Sequence, residues 1–316
     1  MKLDSEHLEI LAMIVEKGGL TEGAEALGKS QPSVSRTISN LEKRLGMPLF
    51  EPGRRPLQPT HFGRMLSEIG MRIYALNREA QTLAQNFTKG YAGHIRIGGT
   101  PIFMDGVISH MLADFQERAE GVQFDQSYGY FDSLLGKLRN KMLDMAILPM
   151  REDQIPVDCD FRPLIPGRNV IACRAGHPMT RKGPITLQEI DAYSWVAPPA
   201  DSPLFRDLKG AITSIGSENF RFTFSGGTLA SIQSFLIRTD CLTVLPYSVV
   251  YLMKGAGQIV SLPIKVAHPD RKLGVLTRKG EALSPMLKTF ITFLEGQCEN
   301  LECRMANEAR IAKGRA

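Results

Sequence analysis

Residues Leu20–Thr60, LTEGAEALGKSQPSVSRTISNLEKRLGMPLFEPGRRPLQPT, decide how this chain is read. Ser30, Gln31 and Pro32 are helix-start residues: a side chain able to accept backbone N–H bonds, then a proline in the first turn. From there Val34, Ile38, Leu41 and Leu45 recur at steps of four, three and four, one apolar face of a helix. The other faces carry Ser33, Ser35, Arg36, Ser39, Asn40 and Lys43, short hydrogen-bonding groups mixed with cations, a surface suited to a DNA major groove. Upstream, Thr21 to Leu27 predicts a compact helix of small side chains that Gly28 ends, so that two helices can cross closely. Downstream, Gly46 stops the second helix. The segment Glu51, Pro52, Gly53, Arg54, Arg55, Pro56 is too rich in proline and glycine to be helical and predicts a turn presenting two arginines.

Charge follows the same division. Between Lys29 and Arg64 lie seven cations (Lys29, Arg36, Lys43, Arg44, Arg54, Arg55, Arg64) against Glu42 and Glu51. The preceding segment is acidic, so a nucleic-acid face is confined to the second helix and the loop, where phosphate attraction is salt-dependent.

An isolated helix-turn-helix pattern is only a moderate signal, and amphipathic helices with cations occur in many helical proteins. The order of residues is more specific. The run Gly18–Gly63, including Ala24, Leu27, Ser30, Gln31, Pro32, Ser33, Val34, Ser35, Arg36, Ile38, Leu41, Glu42, Leu45, Gly46, Leu49, Phe50, Thr60 and Gly63, closely resembles the N-terminal domain of LysR-type transcriptional regulators. Two positions depart from that pattern: Gly23 stands where the family usually has Ala, and Pro52 where it usually has Arg. The second departure leaves Arg54 and Arg55 as the expected wing cations. DNA contacts are therefore expected from Ser30, Gln31, Pro32, Ser33, Ser35, Arg36, Ser39, Lys43, Arg54 and Arg55.

After Thr60, read as a helix N-cap, apolar side chains fall at Phe62, Leu66, Ile69, Ile73, Leu76, Ala80, Leu83 and Phe87, alternating steps of four and three. That pattern keeps one seam for nearly four heptads along a helix roughly 40 Å long. A core helix on its own domain is the alternative to a partner helix. The resemblance implies that this helix pairs with that of a second subunit through Phe62, Leu66, Ile69, Ile73, Leu76 and Leu83. Residues 89–93 read as a breaker and hinge.

From His94 onward, short apolar runs alternate with helical patterns: strands at 94–98, 122–128 and 145–148 separated by helices at 102–116 and 134–142, hence βαβαβ and a parallel sheet. A second set follows from Pro163, ending in a strand at 273–277 and a helix at 285–298. Two α/β lobes joined by two crossings form a cleft, where such proteins bind ligands. The resemblance extends here more weakly through "IRIGGTP", "MLDMAILP", "AGHPM" and "LTVLP". It implies an effector domain with the fold of periplasmic binding proteins, its first lobe completed by the last strand and helix.

The expected organisation is thus an α N-terminal winged helix-turn-helix domain over 1–60, a linker helix over 61–89, and a two-lobed α/β effector domain over 90–300. Its first lobe takes about 94–162 and 267–298, its second about 163–266, and 301–316 reads as a basic C-terminal tail. Three strand-to-helix turns offer free N–H groups and a hydroxyl for an anion: at Thr100 and Pro101, at Ser202, and at Thr228. Each also fits simple helix capping. The resemblance places Thr100, the loop at Ser127 and Tyr128, Pro149, Ser202 and Pro246 near the cleft. One departure is that Arg238, Thr239, Asp240 and Cys241 replace the family's frequent Gly-rich turn.

Composition sets outer bounds. The chain has 316 residues, enough for two or three folding units, with 43% hydrophobic and 22% charged residues and a net charge of +5 that alone does not call for nucleic acid. There is no apolar run long enough to span a membrane, and the charged start at Met1–Glu9 does not read as a signal peptide, so the cytoplasm is expected. Five cysteines lack metal spacing and read as reduced thiols, a switch between Cys298 and Cys303 being the less favoured alternative. Six histidines lack metal spacing, and there is no nucleophile elbow, P-loop or dinucleotide fingerprint, so neither an enzyme nor a metal or cofactor is expected. The partners expected are double-stranded DNA, a small-molecule effector, RNA polymerase and a second copy of the chain as homodimer or homotetramer. Rival readings are a regulator whose second domain acts through protein contacts alone, and a solute-binding protein or enzyme with an accidental helix-turn-helix.

Overall fold

The computed structural model describes residues 3–53, 56–89, 93–181, 185–200, 203–217, 220–226, 228–268 and 270–314. Two compact units are present, one built on Met1–Tyr91 and the other on Ala92–Leu138 with Leu143–Ala316.

The first unit holds α1 (Ser5–Lys17), α2 (Leu20–Ala26), α3 (Gln31–Leu45) and α4 (His61–Lys89). Asp4 caps α1 by accepting from the Glu6 N–H at 3.0 Å, and Gly18 ends it at φ 79°, a left-handed conformation that favours glycine. The core joins Leu8, Leu11 and Ile14 of α1 to Ala24 of α2 and to Val34, Ile38 and Leu41 of α3, as the periodicity predicts. Gly23 has a steric reason: a Cβ there would lie 2.9 Å from the Ile14 Cα, so the small residue sets how closely α2 crosses α1. Beyond α3 the chain doubles back. Phe50 and Pro59 form an antiparallel bridge, and the Glu51 N–H donates to the Gln58 carbonyl at 2.8 Å, the base of a wing; Arg54 and Arg55 lie outside the described residues.

Thr60 caps α4 as expected, accepting from the Gly63 N–H at 3.0 Å. The single apolar seam is corrected. Leu66 is buried and Phe62 and Ile73 are half-buried against the unit's own core, whereas Ile69 and Leu76 stay 41% and 55% exposed. The reason is that α1 claims one side of α4, where Gly70, Met71 and Ala75 are buried. That leaves Met65, Ile69 and Leu76 on another side. The side chains of Leu83 and Phe87 lie outside the described residues.

The second unit runs in chain order β1 (Gly93–Gly99), α5 (Pro101–Phe103), a π-helical turn (Met104–Ile108), α6 (Ser109–Arg118), β2 (Val122–Tyr128), α7 (Phe131–Arg139), β3 (Met145–Met150) and β4 (Cys159–Pro166). Next come β5 (Asn169–Arg174), α8 (Leu187–Asp191), β6 (Trp195–Ala197), α9 (Pro203–Ser214), β7 (Phe222–Ser225), α10 (Leu229–Leu236), β8 (Thr243–Pro246), α11 (Tyr247–Met253), β9 (Ile259–Ser261), β10 (Lys272–Arg278) and α12 (Pro285–Gly314). In lobe I the sheet order is β2-β1-β3-β10-β4, with β1 parallel to both β2 and β3 and β10 antiparallel to its neighbours. This is the expected βαβαβ sheet completed by the last strand. Lobe II has β8-β5-β9 and β6-β7, joined where Val196 N–H donates to the Leu242 carbonyl at 2.8 Å and Thr243 Oγ1 to the Val196 carbonyl at 2.9 Å.

Three boundaries differ from expectation. Lobe I keeps β4 through Pro166 instead of ending near 162, because β10 pairs with the whole of it. The α7 helix starts at Phe131 and ends at Arg139, short of the expected 142, and Lys141 sits at φ 58° just beyond. The expected basic tail is instead the continuation of α12, because Leu294, Cys298, Leu301 and Met305 prolong its buried stripe at steps of four, three and four.

The two lobes share one apolar core. The π-helical turn of lobe I packs on α10 and α11 of lobe II, and at Gly106 a Cβ would lie 2.7 Å from Val249 Cγ1. The departure at 238–241 also has a structural role: Asp240 pairs with Arg174 at 2.6 Å, and its carbonyl accepts from His177 Nε2 at 3.2 Å. His177 is fully buried and its Nδ1 accepts from the Met179 N–H, so it is a turn residue, as its setting in the sequence suggests.

Candidate nucleic-acid interface and ligand cleft

The α2-turn-α3 segment positions the candidate DNA face. Gly28 takes φ 63° in the turn, and the Lys29 N–H donates back to the Ala24 carbonyl at 2.9 Å, closing the corner between the helices. With Val34, Ile38 and Leu41 buried, the helical period sends Ser33, Arg36, Asn40 and Lys43 to the opposite side, and all four are exposed. Gln31, Pro32 and Ser39 are exposed beside them, and Ser35 is half-buried. Among the described residues, neither Arg36 nor Lys43 forms an ion pair. Lys29 does, with Glu6 at 2.7 Å, which removes it from the cation count. Ser30 occupies the N-cap position of α3 but makes no capping hydrogen bond with its side chain, unlike Asp4 at α1. The turn thus presents an exposed hydroxyl beside the free N–H groups of a helix start, an arrangement that suits phosphate. Glu42 faces inward and accepts from the Leu49 N–H at 2.7 Å, anchoring the strand that leads to the wing. Asn40 completes the exposed face and was legible from its helical spacing.

The second site lies between the lobes of the second unit, in a cleft of about 480 Å³. Thr100 at the end of β1 and Pro149 in β3 line it, as expected. The Thr100 carbonyl accepts from the Phe103 and Met104 N–H groups, while its hydroxyl, on a residue only 5% exposed, has no hydrogen-bond partner among the described residues. Burying an unpaired hydroxyl is unfavourable, so this one is poised for a ligand or water. Phe131, Leu148, Met150 and Leu204 form apolar walls, and Tyr130, Asp132, Gln154, Arg206 and Arg271 supply polar groups.

The remaining expected residues do not line this cleft. Pro101 is the first residue of α5. Tyr128 donates from its hydroxyl to Asp105 at 2.5 Å, a bond that raises its pKa. Ser127 keeps a buried hydroxyl without a hydrogen-bond partner among the described residues, elsewhere in the lobe. Thr228 caps α10, its side chain accepting from the Ser231 N–H at 3.4 Å. Pro246 lines two narrow cavities of about 20 and 10 Å³ beside the crossings. Ser202 lies outside the described residues.

Arg206 and Arg271 were missed. Arg206 follows the start of α9 by one turn and could have been found by extending the anion argument from the helix start into its first turn. Arg271 carries no sequence signal: it sits where the two crossings meet, its carbonyl accepting from the Gly167 N–H at 2.8 Å. It forms an ion pair with Asp207 of α9. Burial lowers its pKa, with repulsion from Arg206 and Arg151 adding to the shift.

Among the described residues no cluster of His, Cys, Asp or Glu could hold a metal ion, and no helix is long and apolar enough to cross a membrane. The cysteines are free thiols. Burial pushes Cys173 and Cys298 up to about 12, and only Cys303 is exposed, so Cys298 and Cys303 are not a bonded pair.

Residues 5–64 match the model of the bacterial regulatory helix-turn-helix protein, lysR family, and residues 88–299 match the LysR substrate binding domain. The SDS degradation transcriptional activation protein of Pseudomonas sp. is 24% identical over 286 residues, covering 89% of this chain and 92% of the relative. The HTH-type transcriptional regulator GbpR of Azospirillum brasilense is 24% identical over 301 residues, covering 93% and 86%. Among solved structures, full-length CbnR complexed with its target DNA superposes with a TM-score of 0.62 at 15% identity, covering 92% of this chain and 99% of that one. A full-length OxyR variant from Pseudomonas aeruginosa gives 0.60 at 18%, covering 93% and 95%; at these identities the likeness is one of fold. With a lysR-family helix-turn-helix followed by a LysR substrate binding domain, the chain belongs to the LysR family of DNA-binding transcriptional regulators.

Proposed function

We propose that this chain is a cytoplasmic regulator that reads DNA as a homodimer or homotetramer and changes promoter output when a small, anionic metabolite enters the interlobe cleft. RNA polymerase is its downstream partner. The observation that carries the reading is the exposed face of α3, where Ser33, Arg36, Asn40 and Lys43 stand opposite the buried Val34, Ile38 and Leu41. A helix held by its apolar side and free on its hydrogen-bonding, cationic side can enter a major groove. Arg54 and Arg55 are assigned to the wing from sequence alone. Met65, Ile69 and Leu76 supply the apolar stripe for a second copy of α4. Ligand occupancy acts by shifting the population between assemblies whose DNA-reading heads are spaced differently.

Two measurements test this. Replacing Arg36 with Ala should weaken binding to a cognate site by about 1–3 kcal/mol, or roughly fivefold to 150-fold, with the fold retained. Unchanged affinity at moderate salt would remove Arg36 from the interface. A thermal-shift screen of the full chain against a broad metabolite library, neutral compounds included, should find at least one that raises the melting temperature with increasing saturation. A screen with no stabilising compound favours a second domain that acts through protein contacts alone.

A further inference from the structure

Asp207 is paired with an arginine that also lines the interlobe cleft. It stands on α9 of lobe II, and its carboxylate pairs with Arg271, which emerges from the junction of the two crossings. Both side chains are largely enclosed, 14% exposed for Arg271 and 17% for Asp207. Arg271 has two sides. It contributes to the narrow cavity of about 20 Å³ that Asp207 also lines, and to the open cleft of about 480 Å³ that Asp207 does not line.

A guanidinium carries five N–H donors in a rigid plane, and one carboxylate can use at most two of them at once. Arg271 therefore keeps donor capacity after pairing with Asp207. Arg206, one residue before Asp207, lines the cleft and forms no ion pair among the described residues. The Thr100 hydroxyl is a third polar group at the same cleft, without a hydrogen-bond partner among the described residues and enclosed on a residue 95% buried. Two cations thus face the cavity against one carboxylate, Asp132, and between them lie the apolar walls of Phe131, Leu148, Met150 and Leu204. With Asp207 behind Arg271 the charges balance, so it is the guanidinium donors of Arg206 and Arg271 facing the cleft that favour an acid over an amine, and the walls favour a hydrophobic body over a highly hydroxylated one.

We infer that Arg271 and Arg206 receive the carboxylate of an apolar organic acid, and that Asp207 is the resident counter-ion which sets the affinity by sharing Arg271 with it. The inference rests on reading the interlobe cleft as the effector site. With the cleft empty, Asp207 neutralises an enclosed cation that would otherwise be costly. When an acid enters, its carboxylate takes the donors of Arg271 that face the cleft, adds Arg206, and meets repulsion from Asp207 behind them. That repulsion discriminates against weakly held anions. Burial and the neighbouring guanidiniums already disfavour charge on Arg271, so an added anion gains more there than on an exposed arginine.

The test is calorimetric titration of the full chain with phenylacetate and hexanoate, against their neutral amides and against phenethylamine. The wild-type chain should bind at least one acid saturably, with its amide and the amine at least about tenfold weaker. Asp207→Asn, which keeps the side chain's size and removes its charge, should bind the same acid roughly tenfold more tightly, with no gain for the amide. Arg271→Lys and Arg206→Gln should each weaken the acid by about tenfold. These two carry the test if Asp207→Asn does not fold. Equal affinity for acid and amide, no binding of either acid, preference for the amine, or an Asp207→Asn chain whose acid affinity is unchanged or lower overturns the assignment. Acids failing while neutral metabolites from the broader screen bind would sink this inference and the anionic character of the effector, and leave the reading of the cleft as an effector site standing.

Discussion

Gly70 of α4 lies directly against the backbone of Leu8 in α1: a Cβ on residue 70 would come within 2.0 Å of the Leu8 carbonyl oxygen. The first unit is therefore held by a helix crossing that admits no side chain at its closest point. A helix interior normally disfavours glycine, so its presence here reflects the approach and not the helix.

Replacing Gly70 with Ala should consequently destabilise the first unit, even though alanine is the better helix former. Overpacking of this kind costs about 1–3 kcal/mol, against roughly 1 kcal/mol gained in helix propensity. Hydrogen exchange of the intact chain should show faster amide exchange in α1 and α4. Slower exchange there would mean that the helices move apart without cost.

The exposed stripe on α4 leads to a prediction about assembly. Introducing Glu at both Ile69 and Leu76, which are 41% and 55% exposed, should leave the fold intact and dissociate the protein. Sedimentation velocity should show the double variant at monomer mass at concentrations where the wild-type chain is a dimer or larger. A variant with the wild-type sedimentation coefficient would place the subunit contact elsewhere.

Thr100 separates a ligand-binding hydroxyl from a structural one by the sign of its effect on stability. Its hydroxyl is buried and unpaired, so Thr100→Val removes an unfavourable burial. The melting temperature of the unliganded chain should stay the same or rise. Affinity for the effector should fall by about twofold to twelvefold, the contribution of one hydrogen bond of about 0.5–1.5 kcal/mol. A lower melting temperature with unchanged ligand affinity would assign the hydroxyl to folding.

Thiol reactivity follows from burial. The thiolate is the reactive species, and Cys173 and Cys298 have pKa values pushed up to about 12, so at pH 8 neither is appreciably ionised in the native state. Cys159 and Cys241 are also buried. A thiol-specific reagent at pH 8 should therefore modify Cys303 rapidly and the others only after denaturation. Fast modification of Cys298 would show that the last helix opens in the native protein.

What the sequence makes legible, and what it hides, can be traced to individual residues. The period of Val34, Ile38 and Leu41 gives both the buried side of α3 and its free side, because a helix turns every side chain by a fixed angle. The same reasoning misassigns the seam of α4. Steps of four and three specify an apolar stripe without specifying what covers it, and here α1 takes Leu66 while Ile69 and Leu76 are left outside. The α12 continuation was concealed by charged residues, although Leu301 and Met305 extend its stripe. In the cleft, Thr100 could be read from the turn that follows the first strand of a βαβ unit, and Pro149 only through the family resemblance. Arg271 could not, since it reaches the cleft only because two crossings distant in sequence meet at Gly167.

The most direct test of the account is a genome-wide footprint of the wild-type chain beside that of Arg36→Ala, at equal protein levels. The wild-type chain should protect discrete sites built from paired half-sites in register with the DNA helical repeat. The variant should lose that protection while remaining folded. Footprints that are unchanged by Arg36→Ala, or the absence of discrete sites for the wild-type chain, would contradict the placement of α3 as the element that reads DNA.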